Sequence, residues 1–515
     1  MTNKIVSTNR EWDLVIYGAT GDAGSAIAMY VANNFDTYEK KNKKNDSSRF
    51  RWAIAGRNER KLLQLRSRII VGRLKPSSND EIGIIIADSS SIDDMSNMAK
   101  STRLVISAVG PYTTLGESIY SACAMNGTHY VDITGEVDWV YSMREKYSKK
   151  AKETGSTLCS FAGYDCVPCD ITMHLARSVL LASSASTSTT NKKDATSTAS
   201  TIYFTSAETV TQVDGGAMPK GTIRTMISKL PEGAAFLKKL IRYAGGGGSR
   251  GGSDSGGNTR GKCSKTTRSL IQWLLPRWSS EFGAFTLPHF MGWCNIPVIH
   301  NSYCSSVAKT TEEEEEGGGD SNSMIIDCIY HDRVAVPFSQ GCLGTGYGLL
   351  QTLIVYTILL LGTPLFLCFQ IFVAFVPFTA VILLKLFDSL QYSGNTQQNQ
   401  KQLEDATVEV YTYATSSEGT KAVIHMFVNG DAGIICTAML AAETSLSMLS
   451  LEDKNKLPKG RIGSPSMIVG DELVKRLQNE ETMSGCCTLS VISVIDKKNK
   501  NITKDYIESS SKKDS

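Results

Sequence analysis

Short apolar runs recur through the first third of the chain, each ending in glycine or a polar residue and each followed by a segment of helical character. Leu14–Tyr17 opens the series. Residues 50–56, 81–88, 102–112, 129–136 and 156–163 continue it, and helical stretches at 25–34, 59–68, 92–99, 116–126 and 138–153 separate them. Strands alternating with helices at this interval predict an α/β fold: a doubly wound, Rossmann-type parallel sheet with helices on both faces. Ligands in such sheets lie at the carboxyl ends of the strands, where glycine and polar residues accumulate here.

The pattern changes beyond residue 182. Strands are expected at 201–208, 324–331, 407–415 and 420–428, helices at 432–449 and 466–478, and a last edge strand at 486–495. The predicted organisation is a disordered N-terminus (1–11), a nucleotide-binding Rossmann domain (12–180), a Ser/Thr-rich disordered insertion (183–201) and a second, α+β domain (202–430). Helices packing back on the first domain (431–482), an edge strand (483–496) and a polar tail (497–515) complete it. A Gly/Ser-rich linker (244–269) and an acidic loop (309–323) interrupt the second domain.

Val334 to Leu384 contains no Asp, Glu, Lys or Arg. A spanning helix needs about 20 apolar residues, and Gly362-Thr-Pro364 divides this run into shorter halves. The apolar segment 347–387 therefore reads as a hairpin dipping into one leaflet or an interfacial anchor, facing the cytosol, on a lipid droplet, the endoplasmic reticulum or a mitochondrion. The alternative is a buried helical pair or an oligomer interface, which would make the protein a homodimer.

At 515 residues the chain is too long for one core, and a net charge of +3 with scattered basic residues gives no reason to expect a nucleic-acid partner. The 13 cysteines follow no repeat, and Met1-Thr-Asn-Lys lacks the apolar core of a secretory signal, so the thiols are expected to be reduced. Cys166-Val-Pro-Cys169 has redox or metal-ligand spacing but no partner pair, and it reads as two small residues at a helix start; no metal is expected.

The candidate chemistry begins with Gly18-Ala19-Thr20-Gly21-Asp22-Ala23-Gly24 between the first strand and helix. This G-x-x-G-x-x-G turn lets backbone N–H groups approach a pyrophosphate at a helix N-terminus. Arg57, at the end of the second strand, suits the 2′-phosphate of NADP, so NADP(H) is favoured over NAD(H). Asp88 falls where adenine lies, and Gly110-Pro111-Tyr112 forms a rigid turn facing the nicotinamide. Glu136, Tyr164 and Asp165 are placed on the substrate side, with Tyr164 as the candidate proton donor beside Asp165.

Gly18-Ala-Thr-Gly-x-x-Gly24, Ala55-Gly-Arg57, Val109-Gly-Pro-Tyr112, Tyr130-Val-Asp-Ile-Thr-Gly-Glu136 and Gly163-Tyr-Asp-x-x-Pro-x-Asp170 occur in the order seen in saccharopine dehydrogenase-like oxidoreductases, the group that includes trans-acting enoyl reductases. The chain resembles that family well over 12–180 and patchily beyond, at Gly221-Thr222, Gly430-Asp-Ala-Gly433 and Pro465 through Leu473. It departs at Asp22-Ala23, where the family has an aromatic residue and then Thr or Val, and at Cys166 and Cys169, where Ser or Ala is usual. The resemblance implies NADPH-dependent reduction of a hydrophobic or lipid-linked small molecule. A nucleotide-binding scaffold or redox sensor on lipid droplets, and a soluble saccharopine dehydrogenase, are the competing readings.

Overall fold

The computed structural model describes residues 10–42, 50–72, 82–188, 203–216, 276–289, 291–304, 325–326, 328–335, 397–483, 485–498 and 500–503, with isolated positions between 268 and 386. In chain order the first half gives β1 (Trp12–Tyr17), α1 (Asp22–Asn42), β2 (Trp52–Gly56), α2 (Glu59–Val71), β3 (Gly83–Ile86), α3 (Ile92–Ser101) and β4 (Thr102–Ser107). Then come α4 (Tyr112–Leu115), α5 (Glu117–Asn126), β5 (His129–Asp132), α6 (Val137–Thr154), β6 (Leu158–Cys159) and α7 (Val167–Ser188). The second half gives β7 (Tyr203–Asp214), β8 (Arg277–Ser279), β9 (Ala284–Pro288), α8 (Gly292–Cys304), β10 (Ile325–Ile326), β11 (Tyr330–Ala335) and α9 (Gln397–Glu404). β12 (Thr407–Ser416), β13 (Lys421–Asn429), a π-helical turn (Ala432–Cys436), α10 (Thr437–Asp453), β14 (Ile462–Gly463), α11 (Pro465–Leu477), α12 (Glu480–Met483) and β15 (Cys487–Ile495) complete the list.

The first sheet has the order β14-β6-β5-β4-β1-β2-β3 and is parallel throughout. Alternation along β1 explains its two-sided burial. Leu14 and Ile16 join one apolar cluster with Ile27 of α1, Leu62 of α2 and Leu446 of α10, whereas Val15 and Tyr17 join another with Met95 of α3, Ile119 of α5 and Val140 of α6. The expected sixth strand is shorter than 156–163. Ser160 Oγ donates to Asp132 Oδ2 at 2.8 Å and Phe161 N to Asp132 Oδ1 at 3.2 Å, and Phe161 turns the chain away at φ 69°. A strand absent from the sequence reading, β14, pairs with β6 instead.

The second sheet runs β15-β13-β12-β7-β11-β9-β8, with β10 beside β7. Strict alternation of buried and half-buried positions along β12 and β13 gives it one covered face, and α7 packs there. α7 continues to Ser188, so the helix extends into what the sequence reads as a disordered insertion. β7 extends to Asp214, and residues 324–331 resolve into two strands, β10 and β11. The rest of the insertion, the glycine-rich linker up to residue 267, the acidic loop and most of the apolar run 347–387 lie outside the described residues.

One helical segment among the described residues, Ala432–Asp453, is long and apolar enough to cross a membrane, but most of it is buried inside the protein. It packs against α1, α11 and strands β4 and β5. Its buried carboxylate is paired: Glu443 is 1% exposed, accepts from Arg476 Nε at 2.7 Å and takes a hydrogen bond from Tyr30 Oη at 2.9 Å. Asp170 of α7 accepts from Ser466 N at 2.9 Å and from Ser466 Oγ at 2.6 Å, which fixes the start of α11. Glu443→Ala leaves Arg476 half of a buried pair, and urea unfolding should report a loss of about 3–5 kcal/mol. A loss below about 1 kcal/mol would mean the pair behaves as a surface one.

Candidate functional site

In this strand order the connections leave β1 and β4 in opposite directions, so a crevice opens at their carboxyl ends. Gly18, at φ 82°, lies so close to the β4 end that a Cβ on it would come within 2.6 Å of Val109 Cγ2. A Cβ on Gly24 would meet Gly18 O at 2.3 Å, which is how the first turn of α1 packs onto the loop. The amides of Gly18 and Ala19 donate to Ala55 O and that of Gly21 to Gly18 O. They hold the turn, which leaves the first-turn amides of Asp22, Ala23 and Gly24, without an intrahelical acceptor by position, as the donors available to an anion. Thr20, Gly21 and Asp22 are exposed, and the mouth of the loop is open. A carboxylate at the first position of α1 also complements the helix dipole there.

Arg57 is exposed at the end of β2, and Asp88 follows β3 beside it. Asp88 accepts from Ser90 N at 2.9 Å and Ser90 Oγ at 2.8 Å, bonds that hold its carboxyl below the usual range, with Arg57 adding to the effect. Gly110 and Pro111 form the β4 loop through a cis peptide bond, and Gly110 is exposed. The Tyr112 ring turns inward, its hydroxyl donating to Ser107 O at 2.8 Å, so this residue meets the crevice by its backbone only. Glu136 changes role. It is fully buried and accepts from Tyr112 N at 2.7 Å and Thr113 N at 3.0 Å, with Thr113 Oγ1 also bonded. It caps α4 and anchors the Gly110–Pro111 loop in place of lining the substrate.

Tyr164 and Asp165 precede α7, where the two sheets meet. Tyr164 N donates to Thr437 Oγ1 at 3.1 Å, while its hydroxyl is buried without a hydrogen-bond partner. Burial pushes this phenol well above its usual range, and nearby Cys436, Cys169, Asp332 and Asp165 add to the shift. Asp165 is partly exposed and reaches the β5 end, where a Cβ on Gly135 would lie 3.2 Å from Asp165 Oδ2. Burial raises its carboxyl to about 6 against the pull of His289. Cys166 and Cys169 point to different neighbours: Cys166 Sγ lies 3.9 Å from Cys294 Sγ, and Cys169 Sγ takes a hydrogen bond from Asn295 Nδ2 at 3.4 Å.

Sequence reasoning missed three residues here. His289 follows β9, Asn295 lies in α8 and Asp332 lies in β11. Asp332 is fully buried, with both oxygens 3.1 Å from His289 Nδ1, and Asn295 Nδ2 donates to Asp332 Oδ2 at 2.8 Å. Burial lowers the His289 imidazole, but Asp332 and Asp165 outweigh it and the net shift is upward. The only advance signal was a charged triplet, His331-Asp-Arg333, inside a β-like run. The glycine loop itself makes a direct prediction. Gly24→Ala should weaken NADPH binding at least about tenfold in a fluorescence titration, because the methyl group must displace the loop carbonyl; unchanged affinity would mean the loop is not the coenzyme seat.

Comparison with known proteins follows the same boundaries. Residues 14–159 match the family described as the saccharopine dehydrogenase NADP binding domain. A mouse saccharopine dehydrogenase-like oxidoreductase is 36% identical over 167 residues, 32% of this chain and 38% of that protein. A lipid droplet localized protein of Caenorhabditis elegans is 37% identical over 160 residues, 31% of this chain and 35% of the relative. A trans-acting enoyl reductase of Mycobacterium ulcerans is 31% identical over 168 residues, 33% of this chain and 36% of the relative. The matches thus span little more than a third of each relative's length. Over residues 14–159 the chain is therefore similar to the saccharopine dehydrogenase NADP binding domain, and over that stretch to the saccharopine dehydrogenase-like oxidoreductases.

Proposed function

We propose that the protein is an NADPH-dependent reductase of a hydrophobic, lipid-linked carbonyl or enone, working at a membrane or lipid-droplet surface. The observation that carries this reading is the buried, unpartnered hydroxyl of Tyr164 next to Asp165, at the β5 end beside the coenzyme crevice. An unpaired buried hydroxyl costs free energy unless a ligand completes it. Bound NADPH supplies the hydride. The first turn of α1 holds the pyrophosphate, Arg57 the 2′-phosphate, and the Glu136-anchored Gly110–Pro111 loop walls the nicotinamide side. Asp165 and Tyr164 then face the reacting group.

The surface assignment draws on two supports. The nematode relative is named as lipid droplet localized. Phe378, Ile382 and Leu386, each helical, are 70%, 43% and 53% exposed.

Arg57→Ala should weaken NADPH binding by about tenfold or more while leaving NADH nearly unchanged, since only NADPH carries the 2′-phosphate; equal losses would refute the coenzyme assignment. Glutamate at Phe378, Ile382 and Leu386 together should shift the protein from the floating to the soluble fraction in a vesicle flotation assay, with NADPH affinity intact. An unchanged distribution would remove the membrane reading. The activity itself is tested by NADPH consumption with medium-chain enals and ketones. Tight coenzyme binding with no turnover across that panel would leave a scaffold in place of an enzyme.

A further inference from the structure

Asp132 ends β5, the strand beside β4, and is wholly buried. On one side Thr134 N donates to its Oδ1 at 3.1 Å, and Thr134 Oγ1 in turn accepts from Glu136 N at 3.0 Å. Glu136 commits its oxygens to Tyr112 N and Thr113 N, so a chain of buried hydrogen bonds runs from Asp132 to the Gly110–Pro111 loop. The Tyr112 hydroxyl closes the circuit by accepting from Ile133 N at 3.4 Å. On the other side Ser160 Oγ donates to Oδ2 at 2.8 Å and Phe161 N to Oδ1 at 3.2 Å, while the Asp132 carbonyl accepts from Ala162 N at 2.8 Å. Phe161 stands at φ 69°, a region that a bulky residue adopts only where its surroundings enforce it. Here these bonds enforce it. Gly163, Tyr164 and Asp165 follow directly, so the course of their loop out of the sheet is set at Asp132. A strand end needs no carboxylate, and burying one among neutral partners is costly. What the group adds is two acceptor oxygens that serve donors from two loops at once.

Building on the reductase reading, we propose that Asp132 is the positioning residue of the coenzyme crevice: through Thr134 and Glu136 it seats the loop that walls the nicotinamide, and through Ser160 and Phe161 it seats the loop that carries Tyr164 and Asp165. One carboxylate thereby fixes the spacing of the two walls. Hydride transfer is sensitive to such spacing, since a misplacement of about 1 Å can cost on the order of a hundredfold in rate. Hydrogen-bond geometry carries the role, and charge is dispensable to it. Burial raises the Asp132 carboxyl to about 7, so its neutral form is already well populated near neutral pH. Asparagine can reproduce the pattern, its oxygen accepting from Thr134 N and Phe161 N and its amide donating to Ser160 Oγ. Alanine cannot.

A buried carboxylate that only stabilised the fold would affect every ligand of the first domain alike, so the test compares NADPH with 2′-phospho-ADP-ribose, the same coenzyme without its nicotinamide. Both are titrated calorimetrically into the full chain. Asp132→Ala should weaken NADPH about tenfold, the scale of one hydrogen bond, and leave 2′-phospho-ADP-ribose within about twofold. Asp132→Asn should restore NADPH binding. If circular dichroism shows the alanine variant unfolded, Thr134→Val carries the test, because it removes only the oxygen that accepts from Glu136 N. It should show the same split, and Thr134→Ser should abolish it. Amide hydrogen exchange separates the two arms: Asp132→Ala should speed exchange at Tyr112, Thr113 and Phe161, and Thr134→Val at Tyr112 and Thr113 alone. Equal losses for both ligands, or unchanged NADPH affinity, would overturn the proposal; so would unchanged exchange at Phe161 in a folded Asp132→Ala protein. Wild-type protein that binds neither ligand would bring down the coenzyme reading itself, an outcome distinct from binding without a split.

Discussion

Because β1 pairs with β2 on one side and β4 on the other, the chain winds away from it in both directions, and no connection can cover its carboxyl end. The glycine loop and the Gly110–Pro111 turn stand on either side of that gap. The glycine loop needs to pass within van der Waals contact of the β4 end, which only a residue without a Cβ permits at Gly18. The opposite wall is held from beneath by Glu136, a buried carboxylate committed to the amides of α4. A rigid crevice follows from backbone geometry and one capping interaction before any catalytic side chain is considered.

Where the two sheets meet, burial sets the chemistry. A carboxylate out of water must be paired, hydrogen-bonded or protonated. Asp170 is satisfied by Ser466, Glu443 by Arg476 and Tyr30, and Asp132 by Ser160, Thr134 and Phe161. Burial nevertheless raises the Asp132 carboxyl to about 7, since its partners are neutral. Asp165 differs in kind: it is partly exposed, its carboxyl is raised to about 6, and it stands beside a histidine and a tyrosine. Perturbed groups that face a crevice are candidates for function, whereas those enclosed by donors belong to the scaffold.

The first sheet was legible because periodicity and turn chemistry agreed strand by strand. Leu14–Tyr17 and 50–56 are short, apolar and glycine-terminated, and they fold accordingly. Where the reading failed, a long-range partner decided the outcome. Nothing local marks Ile462–Gly463 as a strand; its pairing with β6, some 300 residues earlier, creates it. The same holds for the junction. Tyr164 and Asp165 were visible beside a glycine, but His289 follows β9, Asn295 opens α8 and Asp332 lies within β11, three elements far apart in the chain that only folding brings together. Asp332 sits between His331 and Arg333 within its strand, and only the folded chain shows that His289 is the imidazole it pairs with. Glu136 was misread because its sequence position, after a strand, suits a ligand contact and a cap equally well.

Residues beyond 430 contribute to both halves of the molecule. β14 extends the first sheet, α10 covers one face of β4 and β5, and β15 adds the outermost strand of the second sheet. The coenzyme-binding half is consequently not a detachable cassette: cut free at residue 180, it would expose the edge of β6 and an apolar face normally hidden by α10. A grafted coenzyme module would have to bring the distant C-terminal helices with it to keep that face out of water.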